Sequence, residues 1–83
     1  MFDHYLTFRS LTRAQSAQRA LRGARIPCEL GRAPEIAGAR GCGYALRLRA
    51  EDLRRAADVL HSRGLDFVRL FRRQGSRLEE LTL

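Results

Sequence analysis

YALRLRAEDLRRAADVLHSRG, residues 44–64, changes its hydrophobic period halfway along. From Tyr44 to Arg49 the pattern alternates. Tyr44, Leu46 and Leu48 fall on one side, and Ala45, Arg47 and Arg49 on the other. A period of two marks a strand with two different faces. From Glu51 to Ser62 the apolar residues Leu53, Ala56, Ala57 and Leu60 recur at i, i+3, i+4 and i+7, the stripe of a helix. Glu51 and Asp52 stand in its first turn, with His61 and Arg63 near its last, as the helix dipole favours. Gly64 is placed to stop it.

The same two periods recur upstream. Residues 4–9, HYLTFR, alternate and predict a first strand, with Leu6 and Phe8 inward. Ser10 or Thr12 offers an N-cap, Thr12 with Gln15 fits a capping box, and Leu11, Ala14, Ala17, Leu21 and Ala24 form a helical stripe. Gly23 reads as the stop. Residues 26–32 predict a second strand, with Ile26, Cys28 and Leu30 inward and Pro27 suited to an edge. Residues 66–72 alternate as a fourth strand, and the tail 73–83 could add a short turn. The order β-α-β-β-α-β, with right-handed crossovers, predicts an α+β, ferredoxin-like fold. It would have a four-stranded antiparallel sheet, with both helices on one face and the other face open. The domain spans 1–72 and the tail 73–83.

At 83 residues the chain is one small domain. So small a core leaves little room for a deep catalytic cleft. No apolar run approaches the roughly 18–20 residues that span a bilayer. The start lacks a basic region followed by an apolar one, so no signal peptide is expected and the default location is cytoplasmic. The net charge is +7, and all sixteen cations are arginine. Two readings of this compete: G+C-rich codons, which favour arginine over lysine, and an anion-binding surface, for which arginine forks match phosphate and carboxylate. The expected open face holds Tyr5, Thr7, Arg9, Glu29, Ala45, Arg47 and Arg49, joined by Phe67, Arg69 and Phe71 according to the register of the fourth strand. Basic groups among aromatics could stack RNA bases. That signal is weak, because the third strand lacks the RNA-recognition consensus, and a solvated or dimer-packed face is the favoured reading.

Residues 33–43, APEIAGARGCG, form a loop of about eleven residues, longer than a usual hairpin connection. Within it, Arg40-Gly41-Cys42-Gly43 sets a cysteine between two glycines beside a cation. Glycines leave the sulfur unshielded and can turn N–H groups toward it, while positive charge favours thiolate over thiol. That is the setting of a nucleophilic or sulfur-carrying cysteine. The alternative is a turn with an incidental small residue. Cys28 alternates with Ile26 and Leu30 and reads as core. Two cysteines make neither a disulfide framework nor a CxxC site, and an extended hairpin would hold them more than about 10 Å apart. His4 and His61 lie on different elements, and no paired carboxylates, Gly-rich phosphate loop or metal set is present.

Residues 1–71 resemble the small bacterial domains of the Se/S carrier-like family. The resemblance lies in Tyr5-Leu6-Thr7-Phe8, Ile26-Pro27, Pro34 with Ile36, and Glu51-Asp52-Leu53. It is strongest in Gly41-Cys42-Gly43-Tyr44-Ala45-Leu46-Arg47. It implies a ferredoxin-like fold and carriage of sulfur or selenium as a persulfide or perselenide on Cys42, with Arg47 as the following basic residue. Gly41, Gly43 and Arg40 would support the loop. Members often read Pro-Arg-Glu-Ile where this chain has Pro34-Glu35-Ile36, and the stretch from Ile36 to Cys42 is slightly long. The resemblance also implies no enzyme activity of its own, no cofactor beyond the covalent chalcogen, a cysteine desulfurase-like donor and a sulfur- or selenium-accepting enzyme. The rival readings are a basic RNA- or protein-binding module and a homodimer through the open face.

Overall fold

A computed structural model describes residues 1–33 and 43–82. Five strands and two helices follow in the order β1 (His4–Thr7), α1 (Leu11–Gly23), β2 (Glu29–Arg32), β3 (Tyr44–Leu48), α2 (Leu53–Ser62), β4 (Leu70–Gln74) and β5 (Arg77–Leu81). A single 3-10 turn, Ala50–Asp52, leads into α2. All strands join one sheet in the order β2-β3-β1-β4-β5. Every neighbouring pair is antiparallel. The fold is therefore α+β, as the sequence implies, but the sheet has five strands instead of four. The described residues of the tail add a strand in place of the expected short final turn. Arg73 and Gln74 complete β4, and Gly75-Ser76 turn the chain into β5. Gly75 has φ +64 and Ser76 does not share the left-handed region, the glycine-first pattern of a two-residue hairpin loop.

The helix ends show why the chain stops where it does. Ser10, not Thr12, caps α1, its hydroxyl accepting from the Arg13 N–H at 3.2 Å. At the other end Ile26 N–H donates to the Leu21 carbonyl and Arg25 N–H to that of Arg22. The left-handed residue is Arg25, φ 62, so the stop predicted at Gly23 falls two residues later. α2 closes with the same pair of bonds, Leu65 to Leu60 and Gly64 to His61, and here Gly64 takes φ +67 as expected. Because Ile26 belongs to this closure and Pro27 has no donor, β2 begins only at Glu29.

Both helices press on one face. Leu6, Phe8, Leu46, Leu48 and Leu70 pack with Ala14, Ala17, Leu21, Ala56 and Leu60. Ala residues at the α1 contact let that helix sit close to the sheet. The helix-free face is not open. Tyr5, Ala33, Ala45 and Phe71 form a second buried cluster, with Leu78 of β5 against it. The fourth strand starts four residues later than the alternation suggests. Phe67 packs with the helix-side core, as does Leu70, while Phe71 lies on the opposite face. The change of parity between Phe67 and Leu70 breaks a continuous strand. The Val68 N–H and the Arg69 carbonyl still bond to the Thr7 backbone at 2.8 and 2.9 Å.

Candidate functional site

The site predicted from the sequence straddles the β2–β3 connection. Arg32 pairs with Tyr44, and one step further the Ala33 N–H donates to the Gly43 carbonyl at 2.8 Å. The ladder thus continues to the last described residue on each side of 34–42, and the connection leaves from a pinned neck. Gly43 has φ 79, a conformation that glycine adopts at least cost. It is covalently next to Cys42, so a larger residue at 43 would strain the backbone beside the candidate thiol. Arg40, Gly41 and Cys42 themselves lie outside the described residues.

Arg47 is described. It sits on the helix-free face, with its Nη2 3.3 Å from Glu29 Oε1 across the strand pair. The same nitrogen lies 3.6 Å from where a Cβ on Gly31 would stand, so the guanidinium leans over β2 toward the neck. Its Nε is buried and has no acceptor among the described residues. Arg32 at the neck lies with its guanidinium carbon 5.6 Å from the Tyr44 ring centre.

Cys28 is 5% exposed, in the helix-side core where alternation places it. Burial pushes its thiol up, and the nearby Arg22 offsets this only in part. A raised thiol in an apolar setting is a poor nucleophile at neutral pH. The two histidines stay apart, His4 hydrogen-bonded to Asp3 at 2.9 Å and His61 to Asp66 at 3.1 Å. No group of three or more His, Cys, Asp or Glu side chains suited to a metal occurs among the described residues. Among them, too, no helix is long and apolar enough to cross a membrane.

Several residues assigned to an open basic face take other roles. Arg49 turns to Asp52 at the entry to α2, its Nε 2.8 Å from Oδ2. Tyr5 and Phe71 are buried, and Phe67 lies on the other side. Arg9 stands beyond β1 beside Arg13, Phe67 and Val68, around a cleft that alternation could not foresee, because its walls come from the α2–β4 connection.

A family described as "Putative Se/S carrier protein-like" matches residues 3–72. That span covers β1 through α2, the connection carrying Cys42, and the first part of β4; β5 lies outside it. No curated protein and no solved structure matches the chain. With 3–72 matched out of 83 residues, the chain belongs to the Se/S carrier-like family.

Proposed function

We propose that this domain carries sulfur or selenium on Cys42 between a donor and an acceptor protein and has no catalysis of its own. The observation that carries the reading is the family match through residues 3–72, which includes Cys42 and Arg47. The burial of Cys28 supports it by elimination, since Cys42 is the chain's other cysteine. The strand order β2-β3-β1-β4 with helices on one face supports a ferredoxin-like scaffold, to which β5 is an addition. We place the protein in the cytoplasm, where thiols stay reduced.

Loading is a transfer without net oxidation. The Cys42 thiolate attacks the outer sulfur of a donor persulfide. A new S–S bond forms, the donor's S–S bond breaks, and the donor leaves as thiolate. The outer sulfur keeps its proton or loses it to water. Delivery repeats the exchange with an acceptor thiolate. Arg40 and Arg47 favour the anionic forms before and after transfer. An RNA-binding role lacks comparable support. The Tyr5 and Phe71 rings lie beneath guanidinium groups, with Arg73 and Arg69 carbons 5.4 and 5.1 Å from the ring centres. They offer no free stacking platform.

The test is intact-mass measurement after incubation with a cysteine desulfurase and cysteine. Wild type is expected to gain about 32 Da, one sulfur atom. Cys42→Ser should lose the adduct and Cys28→Ala should keep it. No adduct on wild type, or one that survives Cys42→Ser, overturns the proposal.

A further inference from the structure

Ion pairs occur at both ends of the sheet, Arg69 with Glu80 beside Thr7 among them, and one cluster of cations stands outside them. At the end where β1 begins, Arg49 pairs with Asp52 and Glu51, and Asp3 with His4. Arg72 reaches Glu79 at 2.6 Å. At the end where β1 finishes, Arg9 is exposed and meets no carboxylate among the described residues. The Arg13 guanidinium there donates to the Gly64 carbonyl at 3.0 Å and likewise meets no carboxylate among the described residues. This second end is also the end of the 33–43 neck. Thr7 pairs with Ala45, and Gly31 pairs with Ala45 from the other side. Arg9 lies two residues beyond Thr7, and Gly43 two residues before Ala45. Both therefore follow the paired residues at the same end of the sheet.

Beside Arg9 the surface opens into a cleft of about 580 Å³ walled by Arg9, Arg13, Gly64, Asp66, Phe67 and Val68. Val68 is 43% exposed, one of only two large apolar side chains so exposed among the described residues. Its backbone cannot retreat, because its N–H is bonded to the Thr7 carbonyl. Two cations thus flank an apolar seat that folding leaves in water, with one carboxylate, Asp66, at its side.

We propose that this cleft docks an acidic, partly apolar peptide segment of the protein that exchanges the chalcogen with Cys42. Charge complementarity selects an acidic segment, Phe67 and Val68 select an apolar side chain within it, and Asp66 can take a backbone N–H. A nucleic acid strand fits less well. Asp66 would face its phosphates, and neither Tyr5 nor Phe71 offers a ring for stacking. The choice of partner rests on the carrier reading; the cleft and its ligand class do not.

The test is amide-shift mapping by NMR with an acetylated heptapeptide of alternating glutamate and leucine. Shifts are expected at Arg9, Arg13 and residues 64–69, with the β4–β5 hairpin quiet. Arg9→Glu, at an exposed residue, should weaken binding roughly tenfold, and Val68→Ser should weaken it less. Arg77→Glu makes the same change in net charge at the far hairpin and should have little effect. Cys42→Ser should bind as wild type does, so loss of sulfur loading and loss of docking are read separately. The proposal is overturned by no shifts around the cleft, by equal weakening from Arg9→Glu and Arg77→Glu, or by tighter binding of heptathymidylate at the same residues.

Discussion

Each face of the sheet carries a buried apolar cluster, and the two clusters are kept dry by different means. On one face α1 and α2 lay Ala14, Ala17, Leu21, Ala56 and Leu60 over Leu6, Leu46, Leu48 and Leu70. On the other no helix lies among the described residues, yet Tyr5 is 6% and Phe71 9% exposed. There the roof includes arginine. Arg73 lies over Tyr5 and bonds its hydroxyl at 3.0 Å. Arg69 lies over Phe71 and is held in a two-bond fork by Glu80 of the added strand, at 3.0 and 2.6 Å. Arginine stems cover apolar surface while the heads stay wet, and the planar head can stack on a ring and meet a carboxylate at once. Lysine cannot do both. Part of the arginine excess is thus structural, which narrows the anion-binding share of the +7 charge to cations such as Arg9 that meet no carboxylate among the described residues.

If helices and guanidinium groups dry a face with different efficiency, equal truncations should cost different amounts. Leu46 is fully buried between the sheet and α1. Leu46→Ala removes it from a rigid cluster that cannot collapse, so both transfer and cavity terms apply, in the upper part of about 2–5 kcal/mol. Total stability for a domain of this size is on the order of 4–12 kcal/mol. The variant should therefore lose a large share of its urea midpoint. Phe71→Ala removes a larger side chain from the arginine-roofed face. There the Arg69 side chain can settle and water can enter, leaving mainly the transfer term, about 1.5–3 kcal/mol. Urea titration of both variants checks the order. A Phe71→Ala cost equal to or above that of Leu46→Ala would show that the arginine roof is as rigid as the helices.

The helix-covered face was legible in the sequence and the other was not. Leu46, Leu48, Leu6 and the α2 stripe obey strict periods, and a period is enough to aim a side chain at a core. Arginine drying a ring leaves no period. Tyr5, Arg47 and Arg69 read as an exposed basic surface because alternation alone sends the polar side chains of a strand to water. The fifth strand was missed for a related reason. Leu78 and Leu81 stand three apart, as on a helix, but in β5 they serve opposite faces, Leu78 against Tyr5 and Phe71, and Leu81 against the helix-side core. The Gly75-Ser76 pair was the available hairpin signal. The core placement of Cys28 followed from the sequence. The Glu29–Arg47 pair needed the register, since the two residues lie far apart in the chain and meet only across β2 and β3.

The roof should also respond to pH where the helices do not. The Arg69 hydrogen bonds to Glu80 hold its carboxyl below the ordinary value of 4.5; partial burial opposes this, and the Arg69 charge adds to it. A carboxyl depressed in the folded state binds protons less readily there than in the unfolded chain. Its contribution to stability is therefore complete above pH 4.5 and is lost as pH falls through the lower, folded value. Glu80 is exposed, so solvent screening keeps the effect small. The measurement is the urea midpoint of wild type and Glu80→Gln across that acid range. The wild-type midpoint is expected to fall toward that of the variant as the carboxylate protonates, and the gap should narrow with added salt. A gap that stays constant with pH would mean that the fork between Arg69 and Glu80 does not help hold the arginine over Phe71. The second face would then be dry through ring and aliphatic packing alone.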